Sequence, residues 1–283
     1  MDILVLGSNG QVGSALISEL GDQYNVSFLN RRSLDVTNFG RLNKYFKNKE
    51  FKFVFNAIAY TNVDGAENNK ALCKLTNDDL TLELANLSVK NNFKLIHYST
   101  DYVFNGTKIS KYTENDSTSP LNHYGYTKLN GENNILNNCD DYIIFRTSGV
   151  YSNQKNNFLF KIKEKLYSDK EIYVVEDQVV NQTPATLIAE LSKSCIKNFN
   201  LFNKNIVNLV PSSALSWYEF AKLIKEKYNV KDKINCSIKP IMTKELNQIA
   251  RRPLNSALDN SKIRAMLNVT IDNVEDYFLR EIL

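Results

Sequence analysis

The sequence predicts an α/β protein, a doubly wound parallel sheet with a smaller C-terminal lobe. Three observations carry that expectation. Short, continuously apolar runs alternate with helix-period stretches through the first half of the chain. A glycine-rich turn follows the first of those runs directly. The alternation then loses its regularity after about residue 150.

The runs "ILVL" (3–6), "NVSFL" (25–29), "FKFVFN" (51–56), "FKLIHYS" (93–99) and "YIIFR" (142–146) read as strands. Continuous apolar strands are buried on both faces, the pattern of a parallel sheet covered by helices. Helices are expected at about 11–20, 38–47, 71–90 and 124–137, with Pro120 as a start signal for the last. Later come a helix near 157–167, a strand at 172–175 and a helix near 184–198. An apolar run at 205–210, a helix near 216–228 and a polar tail complete the chain.

Composition narrows the function classes. At 283 residues, 43% of them hydrophobic, the chain can bury a sizeable core. Its net charge of +4 is spread without a basic cluster, so neither nucleic acid nor an anionic membrane is an expected partner. Cys73, Cys139, Cys195 and Cys236 stand far apart and read as reduced thiols, which places the protein in the cytoplasm. The opening "MDILVLGSNG" has no signal-peptide character, and no apolar run approaches the ~18 residues of a membrane span. Two histidines leave little material for a metal centre, and none is expected.

Gly7, Gly10 and Gly13 in "LGSNGQVGSAL" open the first helix directly after the first strand. Such a turn lets backbone approach a pyrophosphate, which then sits on the free N–H groups of the helix N-terminus. This context marks a Rossmann-type site for a dinucleotide. Residues 1–150 are accordingly read as the dinucleotide-binding domain. Residues 151–283 form the substrate-binding lobe, interleaved with the last elements of the main sheet. The second strand ends in Asn30, Arg31 and Arg32, where a carboxylate would hold the ribose of NADH. A neutral amide beside two guanidinium groups favours the 2′-phosphate of NADPH, with NADH as the alternative.

Carboxyl ends of parallel strands bind ligands in this architecture. Ala59, Tyr60 and Thr61 follow the third strand, and Ser99, Thr100 and Asp101 end the fourth. Tyr-x-x-x-Lys occurs as Tyr45/Lys49, Tyr124/Lys128, Tyr151/Lys155 and Tyr218/Lys222. Only Tyr124/Lys128 lies on the helix after the fourth strand, where it can face Thr100. Positions four apart share a helical face, and a nearby cation lowers the ordinary phenol pKa of ~10. Tyr124 is therefore the candidate acid, and Tyr126 points elsewhere.

These segments resemble the dTDP-4-dehydrorhamnose reductase family of extended short-chain dehydrogenases almost end to end. The resemblance runs through "GSNGQVG", "NAIAYTNVDGAE", "HYSTDYVFNG", "SPLNHYGYTKLNGE", "FRTSGVY", "NNFLFKI", "DQVVNQT", "SWYEFA" and "RRPLNS". It implies reduction of the 4-keto group of a nucleotide-linked 6-deoxysugar, with Thr100, Tyr124 and Lys128 as the catalytic triad. By the same resemblance Gln11, Val12, Asp35 and Val36 touch the cofactor, as do Ala59, Tyr60, Thr61 and Tyr98. Thr100 and Asp101 fall on sugar contacts, and Asn157 and Arg252 on the substrate side. A nucleotide sugar is thus the expected partner; a homodimer stays open.

Two departures stand on the substrate side. Gly149 replaces the tryptophan of the family's "RTS-W-VY", which predicts a wider sugar pocket that Gly149→Trp would fill. Gln182-Thr183 stands where the family has Pro-Thr, with Pro184 one step late. A sibling epimerase or dehydratase is the main alternative. Against a dehydratase, Thr100-Asp101-Tyr102 lacks the glutamate those enzymes carry after the fourth strand. A non-catalytic NADP-binding regulatory subunit is the reading from another class.

Overall fold

A computed structural model describes residues 1–154, 157–229 and 234–281. Its strands are β1 (Asp2–Leu6), β2 (Asn25–Leu29), β3 (Phe53–Asn56), β4 (Lys94–Thr100), β5 (Tyr142–Thr147), β6 (Glu171–Val175), β7 (Val179–Val180), β8 (Asn205–Asn208), β9 (Leu215–Ser216) and β10 (Ser237–Ile241). The main sheet is parallel in the order β2-β1-β3-β4-β5-β8, and the direction of winding reverses between β1 and β3.

The alternating side chains of β1 show why both faces are covered. Ile3 and Val5 pack with Leu16 and Leu20 of the Gln11–Gly21 helix and with Leu187 to Ile196 of the Ala185–Lys197 helix. Leu4 and Leu6 pack on the opposite face with Leu42, Phe46, Leu84 and Ile135. Full burial of each such side chain stabilises by ~1.5–3 kcal/mol, so the sheet is held from both sides. The chain therefore returns to the main sheet at residues 185–208, after leaving it beyond β5. A third apolar cluster around Tyr151, Leu159, Phe220, Ile224 and Phe278 forms the core of the lobe, beside the parallel pair β6–β10.

Two helical details position the site. The His123–Asn138 helix starts at Asn122, whose Oδ1 accepts from the Gly125 N–H at 2.8 Å. Asn122 Nδ2 also donates to the Arg251 carbonyl at 2.8 Å and so fastens the helix start to the C-terminal segment. The helical run from Lys70 to Asn91 contains one π-helical turn at Leu75–Asp79. Asn77 on that turn reaches the loop after β3, accepting from the Tyr60 N–H at 2.8 Å, and donates to Thr127 at 3.1 Å. Wide turns of this kind often mark functional sites. Among the described residues no helix is long and apolar enough to cross a membrane.

Candidate active site

A cleft of ≈ 410 Å³ opens at the carboxyl ends of β1, β2 and β3, where the strand order reverses. Its glycine wall has two geometric requirements. Gly7 takes φ +86°, and a Cβ on Gly13 would stand 2.1 Å from the Gly7 carbonyl oxygen. Gly10 precedes the first helix without a side-chain cap, leaving the helix's first N–H groups for an anion. Asp35, Val36, Ala59 and Tyr60 line the same cleft. A dinucleotide fits this donor set.

Four of the expected cofactor residues, Gln11, Val12, Thr61 and Tyr98, do not line this cleft. Val12 packs into the core beneath the turn. Thr61 is exposed and does not line the cleft. Tyr98 is buried, with its hydroxyl 2.7 Å from Ser192 Oγ and its ring stacked on Phe145. Gln11 turns toward the lobe, where its Oε1 accepts from Ser152 at 2.9 Å and from Asn157 at 2.8 Å.

The arginine segment is a turn rather than a continuation of β2. Asn30 Oδ1 accepts from the N–H groups of Arg32 at 2.9 Å and Ser33 at 3.1 Å. This Asx arrangement replaces the alternation expected of an extended chain. Arg31 lines the cleft and Arg32 does not.

Thr100 at the end of β4, Asp101 beside it and Tyr124 on the following helix come together as expected. The Tyr124 phenol lies beside Thr100, whose hydroxyl donates to Asp101 at 3.0 Å. Asp101 also accepts from Ser256, and burial raises its carboxyl to about 6 against those bonds. Tyr102 lies edge-on to Tyr124 with centroids 5.8 Å apart. Tyr126 is 54% exposed and outside this group.

Lys128 requires a correction. Its Nζ does not lower the Tyr124 phenol; burial holds that phenol above its ordinary value. The lysine is itself buried, and Nζ points under the sheet to the Tyr98 carbonyl at 2.6 Å and His97 Nε2 at 3.2 Å. Burial pulls its pKa down to about 8, with Glu132 opposing. Glu132, one turn further along, pairs with Arg146 of β5 through bonds of 3.0 and 2.6 Å and accepts from Ser99. Sequence reading missed this buried pair, although Glu132 lies four residues after Lys128 on the same helical face.

On the substrate side, Asn157 is a helix cap. Its Oδ1 accepts from Phe160 N at 2.9 Å, and its Nδ2 serves Gln11, Ser152 and Gln154. Arg252 donates to Asp64 at 2.9 Å and to Tyr102 at 3.3 Å, and leaves its buried Nε unpartnered. It also lines a second cleft of ≈ 400 Å³, with Phe158, Lys161, Lys165, Gln178 and Trp217. Gly149 has φ +52°, and a Cβ there would meet the Asn181 carbonyl oxygen at 2.8 Å. Backbone geometry thus requires this glycine, and a tryptophan could not enter without moving it.

The RmlD substrate binding domain model matches residues 1–278. The dTDP-4-dehydrorhamnose reductase of Burkholderia thailandensis is 32% identical, over 96% of this chain and 94% of its own. The crystal structure of the reductase of that name from Clostridium acetobutylicum superposes with a TM-score of 0.93 at 30% identity, covering 100% of this chain and 98% of its own. A Bacillus anthracis structure, that of a dTDP-4-dehydrorhamnose reductase in complex with NADP, gives 0.91 at 28% identity, over 99% and 98%.

The chain belongs to the dTDP-4-dehydrorhamnose reductase family. The two segments that the sequence reading expects to depart from the family pattern touch each other. The Gly149 carbonyl accepts from Thr183 N at 3.2 Å, and Gln182 Cα lies 3.2 Å from where a Gly149 Cβ would be. Tyr151 N donates to the Thr183 carbonyl at 3.0 Å, and Ala185 N returns a bond to Tyr151 at 2.9 Å. The Gln182-Thr183-Pro184 segment therefore rests directly on Gly149.

Proposed function

We propose that the protein is an NADPH-dependent reductase of the 4-keto group of a dTDP-linked 6-deoxysugar. The observation that carries this reading is the convergence of Tyr124, Thr100 and Asp101 beside a glycine-walled cleft at the sheet's switch point. NADPH would be held by the Gly7–Gly13 turn and Arg31, which line the cleft, and would supply the hydride. Tyr124 gives its phenolic proton to the oxygen of the ketone as charge builds there. Burial keeps that proton on the phenol until the substrate oxygen needs it. Thr100 turns its hydroxyl proton from Asp101 to bond and align the same oxygen, and Lys128 stands four residues on as the buried ammonium behind the site. The second cleft, with Phe158 and Trp217 beside Lys161, Lys165 and Arg252, suits a base and a diphosphate.

Following NADPH consumption with dTDP-, CDP-, GDP- and UDP-linked 4-keto-6-deoxysugars tests the reading. The dTDP sugar should be consumed fastest. No consumption with any of them would overturn it in favour of a regulatory NADP-binding role.

A further inference from the structure

Lys128 offers three donors, and the protein already takes two of them. One goes to the Tyr98 carbonyl at 2.6 Å and one to His97 Nε2 at 3.2 Å. The histidine is not an incidental core residue. It is fully buried in the middle of β4, level with Asn56 on β3 and Ile144 on β5. Asn56 lies beside its other nitrogen, Nδ1, through an amide nitrogen at 3.1 Å, with the amide oxygen on the Ile58 N–H at 3.3 Å.

We infer that His97 is a positioning residue for the reaction, accepting a hydrogen bond at Nε2 from the Lys128 ammonium and so fixing where that charge sits. The inference rests on the role given to Lys128 in the proposed function. Two points support it, the neutral ring and its place beside Nζ. Burial and the adjacent lysine charge hold His97 well below its ordinary pKa, so the ring is neutral and one nitrogen must accept. Acceptance at Nε2 requires the ring proton on Nδ1, and the Asn56 amide must then turn its oxygen to that proton and give up the Ile58 N–H at 3.3 Å. Without the ring, Nζ would have the Tyr98 carbonyl alone to hold it.

The other charged and titratable groups around Nζ do not substitute for His97. Glu132, on the same helix, favours the ammonium from a distance but spends both oxygens on Arg146 of β5 and one also on Ser99. Cys73, on the neighbouring helix, is engaged with Thr127 and Asn77, and burial keeps it a thiol, with Glu67 adding to that effect. Tyr124 makes no hydrogen bond to Nζ among the described residues. The ring is the side chain hydrogen-bonded to the ammonium among the described residues.

The sign of the effect follows from the charge state. An acceptor stabilises the ammonium, so its removal makes the proton easier to lose and lowers the lysine's titration. His97→Leu should shift the high-pH limb of kcat/KM downward by about one to two pH units, the effect of one lost bond to a charge. His97→Gln retains an acceptor oxygen and should stay close to the wild-type limb. The same order should appear without cofactor, in ¹³C-lysine NMR titrations of the apoenzyme with Lys128→Met identifying the resonance. His97→Met, whose flexible side chain fills irregular space, repeats the test if the leucine variant does not fold. A folded apolar variant with unshifted limb and unshifted resonance would overturn the inference. Full turnover by Lys128→Met would instead remove the lysine from the reaction, while the apoenzyme titration would still decide whether His97 holds its charge.

Discussion

The spacing Tyr-x-x-x-Lys produces two different structures within this one molecule. Near the surface, Lys49 lies over the Tyr45 ring at 4.3 Å and Lys222 over the Tyr218 ring at 4.7 Å. Both are the cation–π pairs that neighbouring positions on an exposed helical face readily form. Tyr124 and Lys128 have the same spacing, and Tyr124 is half-buried like Tyr45 and Tyr218. Lys128, however, is buried where Lys49 and Lys222 are exposed, and the pair parts. The phenol turns up to Thr100, and the ammonium turns down to Tyr98 and His97. In the fourth instance, Tyr151/Lys155, the lysine lies outside the described residues. Spacing decides which residues share a helical face; burial decides what they do there. A desolvated ammonium seeks oxygen and nitrogen acceptors, because a ring face alone does not replace its hydration.

The sharpest way to break this comparison is to remove the phenol in each setting. Tyr124→Phe should lower kcat by ~10²–10⁴, the usual contribution of general acid catalysis, with the dissociation constant for NADPH unchanged. Tyr45→Phe and Tyr126→Phe should leave kcat where it is. Steady-state kinetics on all three variants checks this. Loss of activity in the Tyr126 variant alone would place the acid on the wrong face of the helix.

Charge pairs allow the same contrast in stability. Glu132 and Arg146 are both nearly inaccessible, at 1% and 3% exposure of their side chains. Arg146 also lies over the Phe104 ring at 5.1 Å. Glu132→Gln leaves a guanidinium charge buried without its counter-charge and should destabilise by ~3–5 kcal/mol in urea unfolding. Glu171→Gln at the exposed pair with Lys239 should change the unfolding midpoint little. Equal effects at the two sites would mean that burial is not what gives the inner pair its weight.

These contrasts also explain what the sequence could and could not convey. Gly7, Gly10 and Gly13, the apolar strands and the Tyr124 register were legible because period and position express them directly. Helix bounds of 124–137 against His123–Asn138 show how closely that works. The downward turn of Lys128 was not legible, since it depends on His97, some thirty positions earlier, being beneath it. Nor was the Asn30 turn, because one side-chain oxygen capturing two backbone N–H groups outweighs an extended pattern. Arg252 reads as a substrate ligand in the motif, yet its carboxylate partner Asp64 comes from the distant "NVDGAE" segment.

The arginine turn supplies a smaller effect. Arg31 faces the cleft and Arg32 does not, although they are adjacent and both exposed. Hydrogen bonds to charged groups contribute ~1.5–3 kcal/mol, so Arg31→Ala should reduce the preference for NADPH over NADH by roughly 10- to 100-fold. Arg32→Ala should alter it little. The ratio of kcat/KM with the two cofactors measures both. A wild-type enzyme indifferent to the 2′-phosphate would reduce this pair to a solvated turn.

The smallest predicted effect uses two glycines. Gly21 ends the first helix with open space where a side chain would be, and Gly21→Ala should stabilise by ~0.4–1 kcal/mol through the unfolded chain. Gly149 has left-handed φ and the Asn181 carbonyl oxygen 2.8 Å from any Cβ. Gly149→Ala should therefore destabilise by ~1–2 kcal/mol, the usual cost of that conformation for a residue with a side chain. The contact with Asn181 and Gln182 adds a functional signature. Any relaxation there moves the Thr183–Tyr151 bonds on the substrate side, so KM for the nucleotide sugar should change while NADPH affinity does not. Gly149→Trp should show the same pattern more strongly, rather than restoring the contact that the family's tryptophan makes. If the alanine variant were as stable as wild type, the backbone at 149 would be free to leave the left-handed region. The tryptophan could then be accommodated, and the coupling between Gly149 and the Gln182-Thr183-Pro184 shift would lose its physical basis.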